Sequence, residues 1–241
     1  MDAKMTTINV PGKNIELREF AEQDAAQLYG VIDSNREHLK EWLFWVDFTT
    51  EIASSVGFIQ AVIESNSAKQ SLVLGIWRGH ELLGAISLVD INYETKIAQL
   101  GYWISEAEQG KGYITAACKA LITHAFENFE IEQIHVRCIA ENERSHAVIK
   151  RLGLSCSTII DGPQWTHGAQ SVEPVPITCG QTSRLTWELL RQTRNSPTMF
   201  AAANLQVLPS DRVLGEVDET ILSGAASNQS SISNSISGGM L

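Results

Sequence analysis

Two glycines flank a lysine in Gln109-Gly110-Lys111-Gly112-Tyr113, a loop placed shortly after the apolar run Leu100-Gly101-Tyr102-Trp103-Ile104 and just before a helical pattern starting near Ile114. Glycines let successive backbone N–H groups converge without Cβ interference, and the helix that follows adds unpaired first-turn donors and the positive end of its dipole. Such a loop suits a phosphate or pyrophosphate. A second group follows one strand later, where Asn142-Glu143-Arg144-Ser145 opens a short helix. Asn142 is a natural N-cap, and Ser145 falls at the third helical position. The Gly-Lys-Gly loop lacks the Gly-x-x-x-x-Gly-Lys-(Ser/Thr) spacing of a nucleotide P-loop and has no matching acidic magnesium ligand.

The elements that must position these groups follow from apolar periodicity. Ile15 and Leu17 mark a short first strand, and Ala25, Leu28, Tyr29 and Ile32 share one helical face. Ser34 and Glu37 fit a capping box, which predicts a second helix running through Leu39, Trp42, Leu43 and Trp45. A third helix, about 52–64, presents Val56, Ile59 and Ile63. The middle of the chain is rich in strands: 71–77 and 81–89 around Arg78-Gly79-His80, then 97–104. A helix to about Asn128 buries Ala117, Cys118, Leu121 and Ala125. In 133–140, Ile134, Val136, Cys138 and Ala140 alternate with His135, Arg137 and Ile139. Val148, Ile149 and Leu152 form the apolar side of the helix capped by Asn142, with Gly153 at its end. Strand, helix and strand around the glycine loop imply a right-handed parallel crossover. Residues 155–180 contain Pro163, Pro174, Pro176 and several glycines and are assigned no element, while 184–190 reads as a last strand.

Composition bounds the rest. The 241 residues suffice for one well-filled domain plus an extra segment. With 28 acidic and 18 basic residues the formal charge is −10, which argues against nucleic acid as a partner. Cys118, Cys138, Cys156 and Cys179 form no Cys-x-x-Cys pair, so buried free thiols are expected and a metal site is not. No apolar run is long enough to cross a bilayer, and a reducing cytoplasmic setting fits best. From about Asn195 the composition turns to Ser, Asn and Gly, giving a mostly disordered tail at 193–241 after a domain at 1–192; Leu205, Val207 and Leu208 are its one short apolar patch.

Taken in order, these segments resemble the GNAT acetyltransferases, and among them the RimJ/RimL-like branch that acetylates protein N-termini and related amines. The family's (Gln/Arg)-x-x-Gly-x-(Gly/Ala) motif is matched by Gln109 and Gly112, with Ile114 in the last position. Asn142-Glu143-Arg144-Ser145 with Leu152-Gly153-Leu154 matches the second motif, and Asn35-Arg36-Glu37-His38-Leu39-Lys40-Glu41-Trp42-Leu43-Phe44-Trp45 is similar to the segment over the acceptor site. The resemblance covers about residues 12–190.

It implies an α/β (α+β) GNAT fold: a mixed central sheet, flanked by helices, whose neighbouring parallel strands splay apart, with a β-bulge in the first of them freeing backbone groups. The co-substrate would be acetyl-CoA, its pantetheine arm against Tyr102, Trp103 and Ile104 and its pyrophosphate on Gln109, Gly110, Lys111, Gly112, Tyr113, Ile114 and Thr115. Lys111 is either a charge on the phosphates or a solvated loop lysine. Asn142 caps its helix and contacts the cofactor, and Ser145 meets the departing thiolate, against the plainer alternative of capping alone. Arg36, His38, Trp42 and Trp45 would line the acceptor site, although tryptophans on a helix also serve as core.

A base for the amine is not fixed by spacing. Gln164 falls about where the branch has a Glu, leaving Asp161, His135, Glu94 and Glu106 as candidates. The implied activity is direct acetyl transfer to a primary amine, on a protein N-terminus or a small molecule, by a monomer or homodimer. The alternative is a catalytically weakened GNAT-fold protein that binds acyl-CoA or a partner, suggested by Gln164 and Ile114.

Overall fold

The computed structural model describes residues 5–166 and 169–193, with side chains described outside 156–179 and as far as Arg191. Among them, eight strands form one sheet: β1 (Thr7–Asn9), β2 (Glu16–Glu19), β3 (Leu72–Arg78), β4 (Glu81–Asn92), β5 (Ile97–Ile104), β6 (Gln133–Ile139), β7 (Ser155–Thr166) and β8 (Ala169–Ser183). Their order is β1-β2-β3-β4-β5-β6-β8-β7. Every neighbouring pair is antiparallel except β5 and β6, which are parallel and joined through a helical crossover.

Helices cover both faces. On one side lie α1 (Ala25–Ser34), the single turn α2 (Arg36–Leu39) and α3 (Ile52–Ser67), with Leu28, Ile32, Ile59 and Val62 packed on Val73, Trp77, Ala85 and Trp103. On the other lie α4 (Tyr113–Asn128) and α5 (Glu143–Leu152), with Leu121, Ile122 and Ile149 on Leu74, Ile86, Leu88 and Leu100. Because both faces are buried, β3 and β4 are apolar almost throughout rather than alternating. Leu121 is wholly buried at the centre of the α4 face. Leu121→Ala is therefore expected to cost about 2–5 kcal/mol in urea denaturation, as truncation of a core leucine leaves a cavity.

Several local expectations are corrected. Ser34 ends α1, its hydroxyl donating to the Gly30 carbonyl at 2.7 Å, so it forms no capping box; Asn35 precedes α2. That helix stops at Leu39, and Phe44–Phe48 is a separate 3₁₀ turn. Ile63 is exposed, since Ser55, Ile59 and Val62 form the buried stripe of α3. The stretch 184–190 belongs to the helix α6 (Arg184–Thr193) and not to a strand, while β7 and β8, in the stretch left without an element, pair antiparallel. Ser183 accepts from the Thr186 N–H at 3.2 Å, and Trp187 is buried while Leu185 and Leu189 are exposed, a helical and not an alternating pattern. The bulge lies in β4, not β5: the ladder slips between Val89 and Asn92, where Asp90 has φ +49°. The expectations for the tail, including Leu205, Val207 and Leu208, lie outside the described residues.

Candidate active site

The parallel pairing of β5 with β6 covers three residue pairs, from Ile97 with Gln133 to Gln99 with His135. Beyond them the strands part. Leu100 to Ile104 keep β4 on one side and have no strand on the other. The Ser105 N–H bonds the Leu83 carbonyl at 2.8 Å in register with this ladder. Antiparallel alternation then turns the backbone of Trp103 toward β4 and that of Tyr102 and Ile104 into the split. Of the three residues expected to offer free groups, two do so by geometry.

The split opens into a cleft of about 1250 Å³. That is larger than the roughly 300–1,000 Å³ of most small-molecule sites and suits an elongated ligand with room for a second one. At its floor, Gly110 and Gly112 take φ +72° and +78°, the left-handed region that glycine enters freely. Gly112 is the N-cap of α4 and offers no side-chain cap, so the first-turn N–H groups of Tyr113, Ile114 and Thr115 are left for a ligand at the cleft wall. A 16-residue helix delivers its positive end there.

Lys111 does not reach the cleft lining. Its ammonium sits 2.9 Å from Glu108, which also binds Arg78 at 3.0 Å. Burial pushes the Glu108 carboxyl up, but Lys111 and Arg78 outweigh it and hold the group below the ordinary carboxylate value. The cation at the loop is Lys13 instead, from the turn between β1 and β2. Its Nζ donates to the Lys111 carbonyl at 2.7 Å and lies 5.5 Å from the Tyr113 ring centre. Lys119, Arg144, Arg151 and Arg191 also line the cleft, so with Lys13 the cations outnumber the lining carboxylates, Glu108, Glu127 and Glu143, in a chain of net charge −10. Lys13→Ala is expected to weaken acetyl-CoA binding by about three- to tenfold at low salt, the range of one partly exposed ionic contact, with a shrinking difference as salt rises. Titration calorimetry at two ionic strengths checks it.

Asn142 Oδ1 accepts from the Ser145 N–H at 3.0 Å, fixing the start of α5 at the cleft edge. Ser145 is buried, and the Tyr102 hydroxyl donates to its carbonyl at 3.5 Å. Burial pushes the Tyr102 phenol well above its ordinary value, so it stays protonated. Ile114 lines the cleft and packs against the α4 core.

The acceptor-side residues divide. His38 and Trp42 line the cleft with Leu43 and Trp103. Arg36 instead clamps the 3₁₀ turn, donating to the carbonyls of Val46 at 2.6 Å and Thr49 at 2.7 Å and pairing with Asp33. Trp45 stands behind, its ring 6.1 Å from that of Trp103. Glu94, Glu106 and His135 do not line the cleft, and the side chain of Asp161 is not described. Lys13, Arg78 and Glu108 carry no sequence signal for the site, because what joins them is tertiary contact across 98 and 30 residues.

The fold is a mixed α/β sheet with a split parallel pair and a glycine-capped helix at one cleft. Residues 14–155 match the family model described as Acetyltransferase (GNAT) domain, and the chain belongs to the GNAT acetyltransferases, in the RimJ/RimL-like branch. It is 34% identical over 145 residues to YdaF of Bacillus subtilis (strain 168), provisionally named a ribosomal N-acetyltransferase, covering 58% of this chain and 78% of that protein. It is 31% identical over 147 residues to the ribosomal-protein-serine acetyltransferase of Escherichia coli (strain K12), covering 61% and 82%. The crystal structure of the microcin C7 self-immunity acetyltransferase MccE, in complex with acetyl-CoA and AMP, aligns with a TM-score of 0.66 at 26% identity, covering 70% of this chain and 92% of that one. The protein is an enzyme that transfers an acetyl group to an amine. No helix among the described residues is long and apolar enough to cross a membrane.

Proposed function

We propose that the cleft takes acetyl-CoA along the split between β5 and β6 and presents its thioester to the N-terminal amine of a protein or peptide lying over α2. The observation that carries this is the parallel ladder ending at Gln99 and His135, with the backbone of Tyr102 and Ile104 turned into the gap. A pantetheine amide would complete the sheet there, and its pyrophosphate would take the free N–H groups from Gly110 to Thr115, with Lys13 beside them. A backbone N–H in the split would receive the thioester oxygen, a contact that strengthens as negative charge develops. The acetyl carbon then bonds nitrogen and releases sulfur, and the Ser145 hydroxyl at the cleft lining would give the departing thiolate a proton. Holding amine and thioester together supplies most of the rate. We take residues 1–192 as the unit that does this, since α6 packs Trp187 into the α4 core before the chain passes residue 193.

Support for a peptide acceptor comes from the two relatives named for ribosomal substrates. Purified protein offered acetyl-CoA with an N-terminal serine peptide and with a polyamine tests the reading by thiol release. Preference for the polyamine would overturn it, and mass spectrometry of cellular N-termini with and without the protein then identifies the natural acceptor.

A further inference from the structure

A primary amine arrives protonated at neutral pH, and it attacks a thioester only after losing that proton. The group that takes the proton must stand on the acceptor side of the cleft. Among the described side chains lining the cleft, most ionisable groups are already engaged or badly placed. Glu127 pairs with Arg191, and His124 contacts Asn128 near the far end of α4. Glu143 is an exposed first-turn residue of α5, and Glu108 is committed to Arg78 and Lys111. His38 differs: it is half-buried between Trp42, Leu43 and Gln109, where the acceptor wall meets the cofactor loop.

One contact singles it out. His38 Nε2 lies 2.5 Å from Gln109 Nε2. The contact joins the acceptor wall to the cofactor loop through one imidazole and one side-chain amide. The cleft thus presents an imidazole nitrogen within hydrogen-bond range of a polar side chain, beside the wall where an amine would lie. We propose that His38 is the general base of acetyl transfer, and that the Gln109 amide stands where the ammonium of the acceptor donates. This rests on the acetyl-CoA reading above. Two protons leave the nitrogen in the reaction. The first passes from the ammonium to His38 Nε2 before the C–N bond forms, and from there to water. The second leaves as the C–S bond breaks and ends on the sulfur. Gln109 also belongs to the loop that would hold pyrophosphate, so loading of the donor and freeing of the base share one side chain.

The charged groups on the elements around His38 are mostly paired with one another. Its own helix carries the Glu37–Lys40 pair and Arg36, which is bound to Asp33. The 3₁₀ turn contributes Asp47. The loop contributes Glu106, whose N–H is taken by Asn35, and Glu108 with its two cations. The His38→Gln variant keeps a side chain able to bond Gln109 but removes the basic ring nitrogen. In the full-length protein with saturating acetyl-CoA and serine peptide, kcat is expected to fall by about 10²- to 10⁴-fold and the acid limb of its pH profile to disappear. Acetyl-CoA affinity by calorimetry should stay within about twofold, since the phosphate cradle is backbone. His38→Ala should regain part of its rate with added imidazole, a readout that does not depend on the glutamine variant folding. A retained acid limb in His38→Gln, or no rescue of His38→Ala, overturns the base assignment while wild-type transfer still stands. Absence of acetyl-CoA binding in the wild type would instead overturn the reading beneath it.

Discussion

Gly112→Asp is expected to abolish acetyl-CoA binding, raising Kd by at least about 100-fold. Gly112 caps α4 with φ +78°, and the Cβ of any replacement would sit 3.5 Å from Lys13 Nζ. A carboxylate there would take up the lysine and place a negative charge among the donors meant for two phosphates. At an effective dielectric of about 20, a like charge some 4 Å away costs about 4 kcal/mol, more than the ~2.7 kcal/mol that a 100-fold loss requires. Gly112→Asn separates charge from backbone strain, because asparagine has the same shape and tolerates the left-handed region. It should weaken binding by no more than about tenfold. Calorimetry on both folded variants decides the matter, and unchanged affinity in the aspartate variant would remove the loop as the phosphate site.

Ser145→Ala should lower kcat by about one to three orders of magnitude while acetyl-CoA affinity changes little. The variant keeps the Asn142 cap, because Asn142 Oδ1 accepts from the Ser145 backbone N–H and not from its hydroxyl. Stability should therefore drop by about 1 kcal/mol or less, the range of helix-start effects. Single-turnover measurement keeps slow product release from masking the chemical step. Full turnover would leave approximation and backbone stabilisation as the whole mechanism and reduce Ser145 to a helix-start residue.

The amino-acid sequence by itself determined the parts whose physics is local. The alternation around Ile134, Val136 and Cys138, the helical stripe of Ala117, Cys118, Leu121 and Ala125, and the Asn142 cap with Gly153 at the other end all stand as the residues imply. So does the glycine loop, since positive φ before a helix is a property of two residues and their neighbours. Local signals failed where two elements compete for the same pattern. The Ser-x-x-Glu signature at Ser34 lost to the end of α1, and the apolar residues of 184–190 fit a strand as well as a helix until Trp187 found the α4 core.

Tertiary structure alone decided the site's working groups. Strand pairing sets which backbone atoms are free: Tyr102 and Ile104 face the split and Trp103 faces β4 because Ser105 is in register with Leu83. Charge was reassigned in the same way. Glu108 captures Lys111, and Lys13, 98 residues from that loop, takes the place beside Gly112. Arg36 went to the carbonyls of a 3₁₀ turn, while His38, two residues on, met Gln109 in the cleft. Side chains reach their partners through space, and residue spacing carries no record of contacts made only when distant elements pack.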